Sequence, residues 1–195
     1  AGYLGRQLVM ALAAEPGGVE AIVASDLRPL PPHETPAGVI ADALDVRDGA
    51  AVRASFRRHR PDVVVHLAAI VTPGRGSSRE LEWHVDVGGT KNVLEACLEA
   101  GVRKLVYTSS GAAYGYHADN PAWLDESHPL RGNREFAYSD HKRLVEEMLA
   151  EWRRLRPELL QLVLRSGTVL GERVRAGVEE RGTFSLSIPN SASCS

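Results

Sequence analysis

Apolar and polar positions along this chain switch repeatedly between two periods. Arg6 to Ala14 has helical spacing and stops ahead of Pro16-Gly17-Gly18. Val19 to Ser25 is a short apolar run ending at Asp26 and reads as a strand. Prolines at 29, 31, 32 and 36 make the next stretch a loop. Val39 to Leu44 reads as a second strand, ending at Asp45. Asp48 can cap a helix that runs to about His59, with Pro61 marking its end. Asp62 to Ala69 is a β-branched run bounded by turn signals. Glu80 to Ala100 carries one long helical pattern, and Gly101 stops it. Lys104 to Thr108 is strand-like, Tyr138 to Leu155 is helical, and Leu159 to Arg165 is a final apolar strand.

Strands alternating with helices, the strands apolar throughout, predict a parallel sheet covered on both faces. The expected fold class is α/β, a doubly wound Rossmann-like sheet, over residues 1–172. Residues 173–195 show no clear period and run into Ser191-Ala192-Ser193-Cys194-Ser195, so they are expected to be irregular.

Composition narrows the class. The 195 residues are 44% hydrophobic and 25% charged, with a net charge of −2, which excludes a disordered or collagen-like chain and suits one sizeable core. Near-neutral charge gives no electrostatic reason to expect nucleic acid or an anionic membrane as partner. The clusters Arg57-Arg58-His59-Arg60 and Arg153-Arg154-Leu155-Arg156 fall at predicted helix C-termini, where positive charge meets exposed carbonyls. Cys97 and Cys194 form no metal-ligand cluster and are too few for a secreted disulfide framework. No apolar run reaches about 18 residues, so no membrane span is expected. A cytoplasmic location is the corresponding expectation. Leu8 to Ala14 has the apolar character of a short signal core, but a helix opening on glycine accounts for it better.

Four pieces of the chain could carry chemistry. Gly2-Tyr3-Leu4-Gly5 opens a helix, where glycines let backbone N–H groups approach a pyrophosphate. Asp26 lies 21 residues beyond Gly5 at a strand end, suited to a ribose 2′-OH. That carboxylate favours NAD over NADP, although Arg28 keeps NADP open. Tyr138 and Lys142 are four apart on a predicted helix and so share a face. An ammonium beside a phenol favours phenolate, which predicts a lowered Tyr138 pKa and a general acid–base role. The hydroxyls of Thr108-Ser109-Ser110 follow a strand, at the end where ligands bind in such folds. His66-Leu67-Ala68-Ala69 and the segment from Asp86 to Val93 offer small residues against which a flat cofactor can lie. Each piece also has an ordinary reading, as loop, helix face or turn.

Their order along the chain resembles the extended short-chain dehydrogenase/reductase family of NAD-dependent nucleotide-sugar epimerases and dehydratases, over roughly residues 1–172. The resemblance implies the following roles. Gly2 and Gly5 match the second and third glycines of the G-x-x-G-x-x-G motif, with Tyr3 and Leu4 beside the pyrophosphate. Asp45 and Val46 match the pair at the adenine. Leu67, Ala68 and Ala69 match the strand end under the adenosine ribose and phosphates. Ser110, Tyr138 and Lys142 match the catalytic triad, and Gly167 matches the backbone contact to the nicotinamide. Asp86 stands, among the cofactor-side residues, where the family usually has Asn. Gly111-Ala112 replaces the Asp-Glu pair of sugar 4,6-dehydratases, which argues against dehydration. The family's first strand and first glycine would precede Ala1, and its substrate lobe would follow Gly171. The chain is therefore expected to be a fragment, lacking a central strand and leaving backbone groups there to be paired.

The implied activity is NAD-dependent oxidation and epimerisation at a hydroxyl of a nucleotide sugar. A family reductase or dehydrogenase acting on a non-sugar alcohol or ketone is the alternative, and a non-catalytic NAD(P)-binding module is a third. A homodimer paired through helices 80–100 and 138–155 is the implied assembly of the full-length form.

Overall fold

A computed structural model describes residues 2–169 and 184–189 of the chain. A six-stranded sheet forms its centre. Helix α1 spans Tyr3–Ala14, followed by β1 (Ile22–Asp26), β2 (Val39–Ala43), α2 (Gly49–His59) and β3 (Pro61–His66). Next come α3 (Arg79–Trp83), a π-helical turn (His84–Gly88) and α4 (Gly89–Glu99). Strand β4 (Lys104–Ser110) leads into a 3-10 turn (Gly111–Tyr114), then α5 (Ala137–Leu155), β5 (Leu160–Ser166) and β6 (Phe184–Pro189).

Local chemistry explains the boundaries. The Asp48 carboxylate accepts the N–H groups of Ala50 and Ala51, each at 3.0 Å, and so starts α2. Arg60 ends that helix in the left-handed region at φ 43°, and β3 begins at once with Pro61. Gly101, at φ 71°, reverses the chain after α4, a conformation that costs glycine little.

The sheet order is β2-β1-β6-β3-β4-β5. Strands β1 and β2 pair in parallel, as do β3, β4 and β5, while β6 runs antiparallel to both its neighbours. Side chains alternate across the sheet. Val64 packs with Val52 and Phe56 of α2, Leu94 of α4, and Val145 and Leu149 of α5 in the main core. Val65 points the other way and meets the cluster of Val9 from α1 with Ile22 and Ala24 from β1. Helices therefore lie on both faces, as a doubly wound sheet requires. At the β5 edge the expectation of two covered faces fails, because Leu160, Leu162 and Leu164 are each about half exposed.

Two sequence expectations change here. The single helix expected over 80–100 is interrupted by the π turn at His84–Gly88, which inserts an extra residue into one turn and re-aims Asp86. The segment 173–195, expected to be irregular, contains β6 at 184–189. That strand occupies the slot between β1 and β3, where two strand edges would otherwise present unpaired N–H and C=O groups. The rest of that expectation, at 173–183 and 190–195, lies outside the described residues.

Candidate active site

The carboxyl ends of β3, β4 and β5 and the first turns of α5 meet at one edge of the sheet. Ser110 closes β4, and its Oγ accepts the Ala112 N–H at 3.1 Å, which holds the hydroxyl at the mouth of the 3-10 turn. Tyr138 lies in the first turn of α5, close enough to the Ser110 side chain for that hydroxyl to act on its phenol. Lys142, one turn on, is 4% exposed, and its Nζ lies 5.6 Å from the centroid of the Tyr138 ring. The structure therefore brings Ser110, Tyr138 and Lys142 together.

Their electrostatics differ from the simple expectation. Burial raises the Tyr138 pKa above its usual value, the nearby Ser110 hydroxyl pulls it back, and the Asp86 and Tyr116 charges push it further up. The expected lowering by Lys142 is not seen. The ammonium is held by β4 instead, donating to the Tyr107 hydroxyl at 3.0 Å and to the Thr108 carbonyl at 2.7 Å. Burial depresses the Lys142 pKa to about 8, with Asp86 and Glu146 working against that. Burial also raises the Tyr107 phenol well above its ordinary range, so the lysine meets a neutral hydroxyl.

Further buried polar groups fix this corner. Glu146 accepts from Ser109 Oγ at 2.5 Å and from Arg165 Nε at 2.9 Å, joining α5 to β4 and β5. Arg165 also donates to the Tyr114 hydroxyl at 2.6 Å. His66, at the end of β3, is fully buried with its Nε2 3.0 Å from Thr90 Oγ1. Thr90 gives its own proton to the Asp86 carbonyl at 2.6 Å, so it must accept from His66, and Nε2 carries the imidazole proton. The His66 pKa falls to about 3, through burial and then the nearby Lys142 charge.

The cofactor-side residues spread along the neighbouring strand ends. Gly2 caps α1 with no side-chain hydrogen bond, Tyr3 and Leu4 begin its first turn, and Gly5 is buried there. Asp26 ends β1 and accepts the Arg28 N–H at 2.8 Å, while burial raises its carboxyl above the usual range. Leu67, Ala68 and Ala69 follow directly on β3, and Gly167 follows β5 with open space where a Cβ would be. Asp45 is engaged by Arg47, whose N–H and Nε donate at 2.9 and 3.0 Å. Val46, expected at the adenine, is buried, and a Cβ on Gly89 would meet its Cγ2 at 2.6 Å. Asp86, expected on the cofactor side, is 3% exposed and turned towards α5. Its Oδ1 accepts the Ile70 N–H at 2.8 Å and its Oδ2 lies 3.0 Å from His141 Nδ1, because the π turn aims it inward.

Sequence reasoning missed Tyr107, Glu146, Arg165 and His141. Inward alternation along β4 places Leu105, Tyr107 and Ser109 on one face, and that signal could have found Tyr107. The other three depend on partners far away in the chain.

A wound, mostly parallel sheet with helices on both faces, and polar side chains gathered at the carboxyl ends of its strands, defines a class, the Rossmann-type dinucleotide-binding folds. Comparison with known proteins narrows it. Residues 1–190 match the model of the NAD dependent epimerase/dehydratase family, and the chain belongs to that family. It is 37% identical over 135 residues to the N-acetyl-alpha-D-glucosaminyl-diphospho-ditrans,octacis-undecaprenol 4-epimerase of Escherichia coli O157:H7, covering 69% of this chain and 38% of that protein. It is 32% identical over 122 residues to the UDP-glucose 4-epimerase of Erwinia amylovora, covering 62% of this chain and 35% of that protein. The UDP-glucose 4-epimerase of Thermus thermophilus, solved in complex with NAD, superposes with a TM-score of 0.73 at 33% identity. That match covers 89% of this chain and 54% of the solved one. The chain thus spans about a third of the length of these curated relatives and about half of that structure.

Proposed function

We propose that this protein binds NAD and epimerises a nucleotide sugar by oxidising and re-reducing one of its hydroxyl-bearing carbons. The observation that carries this reading is the convergence of the Tyr138 ring with the Ser110 side chain and the buried ammonium of Lys142. The relatives named above support 4-epimerisation of a sugar carried on a diphosphate.

The residues fit the cofactor. The start of α1 has no side-chain cap, so its first-turn N–H groups suit a diphosphate. Asp26 stands at the next strand end for a ribose hydroxyl, which selects NAD over NADP. Lys142 uses two of its three N–H donors on Tyr107 and Thr108, leaving one for the nicotinamide ribose. Bound NAD supplies the hydride acceptor and, when oxidised, a positive charge that favours the phenolate. Tyr138 then takes the substrate hydroxyl proton at Oη and returns it in the second half of the reaction. Ser110 holds the same substrate oxygen while that proton moves. The implied homodimer, paired through the helices at 80–100 and 138–155, belongs to the same reading.

The test is Tyr138→Phe. Turnover of UDP-sugars should fall by about 10²–10⁴-fold, the usual worth of a general acid–base group. NAD affinity, read by titration calorimetry, should hold, because the ring and its packing remain. Undiminished turnover would end the assignment.

A further inference from the structure

Three acids sit beside the Tyr138–Lys142 site, and two of them are matched by arginine. Glu146 is clamped by Arg165, with Arg165 Nη2 at 2.6 Å. Asp140 is held by Arg79 and Arg143, each at 2.7 Å. Asp86 differs, since among the described residues its side-chain partner is the imidazole of His141 at 3.0 Å. His141 is itself buried and stands on α5 between Tyr138 and Lys142. The other Asp86 oxygen accepts the N–H of Ile70, the residue after Leu67-Ala68-Ala69. One carboxylate therefore joins the loop after β3, the π turn and the helix that carries the site.

We propose that Asp86 and His141 act as a positioning pair that ties α5 to the loop after β3 and sets the negative charge facing Tyr138 and Lys142. The inference rests on the proposed role of Tyr138. A strut alone would need no charge, yet the Asp86 carboxylate raises the pKa of Tyr138, of Tyr107 and of Lys142 alike. The other titratable or charged groups that face this pair and the phenol come from every packed element. They are His66 from β3, Arg79 from α3 on Asp140, Tyr107 from β4, Tyr116 from the following loop, and Asp140, Lys142 and Glu146 from α5.

Asp86→Asn isolates the charge. An Asn oxygen can still accept the Ile70 N–H, and its amide can donate to His141 Nδ1 once the ring carries its proton on Nε2, so both contacts survive. The readout is phenolate formation at Tyr138 in the NAD-loaded full chain, followed by ultraviolet difference absorbance against the same protein carrying Tyr138→Phe. In Asp86→Asn the phenolate should appear at lower pH than in the wild type, and the acid limb of kcat should move down with it. NAD affinity should change by less than about tenfold, the worth of one ordinary hydrogen bond. An unmoved titration would overturn the proposal and leave the pair a strut. Should Asp86→Asn not fold, His141→Gln carries the test, keeping a donor for the carboxylate and its full charge. Its phenolate should appear at the wild-type pH or above, and a shift downward would overturn the proposal. Titration needs no turnover, so a protein that titrates as expected but epimerises nothing would sink the proposed function and leave this inference standing.

Discussion

His66 and His141 are both buried beside the same short stretch, residues 86–90, yet they meet opposite partners. His66 finds a hydroxyl, Thr90, whose own proton is spent on the Asp86 carbonyl. His141 finds the Asp86 carboxylate. Two side chains four residues apart thus serve two imidazoles in different ways. Burial first, and then the Lys142 cation nearby, hold His66 neutral with its pKa near 3, and a hydroxyl offers no charge that would offset either. A carboxylate can stand beside either form of a ring. Burial is common to the two rings, and what distinguishes them is the atom opposite: a hydroxyl oxygen for His66 and a carboxylate oxygen for His141.

The largest expected effect tests the neutral histidine. The folded pKa of about 3 lies below the ordinary value of 6.5. As pH falls through that window, the unfolded chain takes up a proton that the fold refuses. The stability this site contributes is therefore complete above pH 6.5 and is lost progressively towards pH 3, by as much as about 5 kcal/mol. Replacing His66 with Gln should flatten the dependence of Tm on pH across this range. Parallel losses in wild type and His66→Gln would show that other groups carry the acid transition.

How much of this was legible in the chain depends on distance along it. Asp48 before a helical run, the Val63-Val64-Val65 core of β3 and the 3.6-residue spacing of α5 are local signals, and each element formed where they stand. Tyr138 and Lys142 were placed on one face by a spacing of four. The charge state of that face was not legible, because Tyr107 and Thr108 come from a strand more than thirty residues earlier. The partners of the two histidines lie 24 and 55 residues away, and no local pattern announces them. The π turn was hidden as well, since Trp83 to Gly88 keeps a helical appearance while one extra residue turns Asp86 inward. Strand β6 had a trace, the alternation of Phe184, Leu186 and Ile188 with Ser185 and Ser187. A serine-rich setting obscured it, and what places it is the hydrogen-bonding demand of two facing strand edges rather than its own composition.

A smaller effect is expected from the partner of His66. Thr90→Val keeps the volume and removes the acceptor, so the Nε2–H is left buried and unpaired, and the Asp86 carbonyl loses its side-chain donor as well. A loss of about 1–3 kcal/mol in chemical denaturation is expected. A neutral result would mean that His66 turns its proton elsewhere, and the contrast between the two histidines would lose its basis.

Thr90→Ser is expected to do least and to separate the hydroxyl from the methyl. Thr90 is fully buried, so removing one methyl costs its transfer energy and a small void, about 1 kcal/mol. The hydroxyl can still accept from His66 and donate to the Asp86 carbonyl, so the fold should still refuse the His66 proton. The Tm of Thr90→Ser should therefore lie slightly below that of the wild type at every pH while following the same curve from pH 6.5 down to 3. If the serine variant instead bends the curve as His66→Gln does, the histidine is kept neutral by tight packing around the threonine methyl and not by the hydrogen bond. The oxygen opposite His66 would then matter less than the space around it.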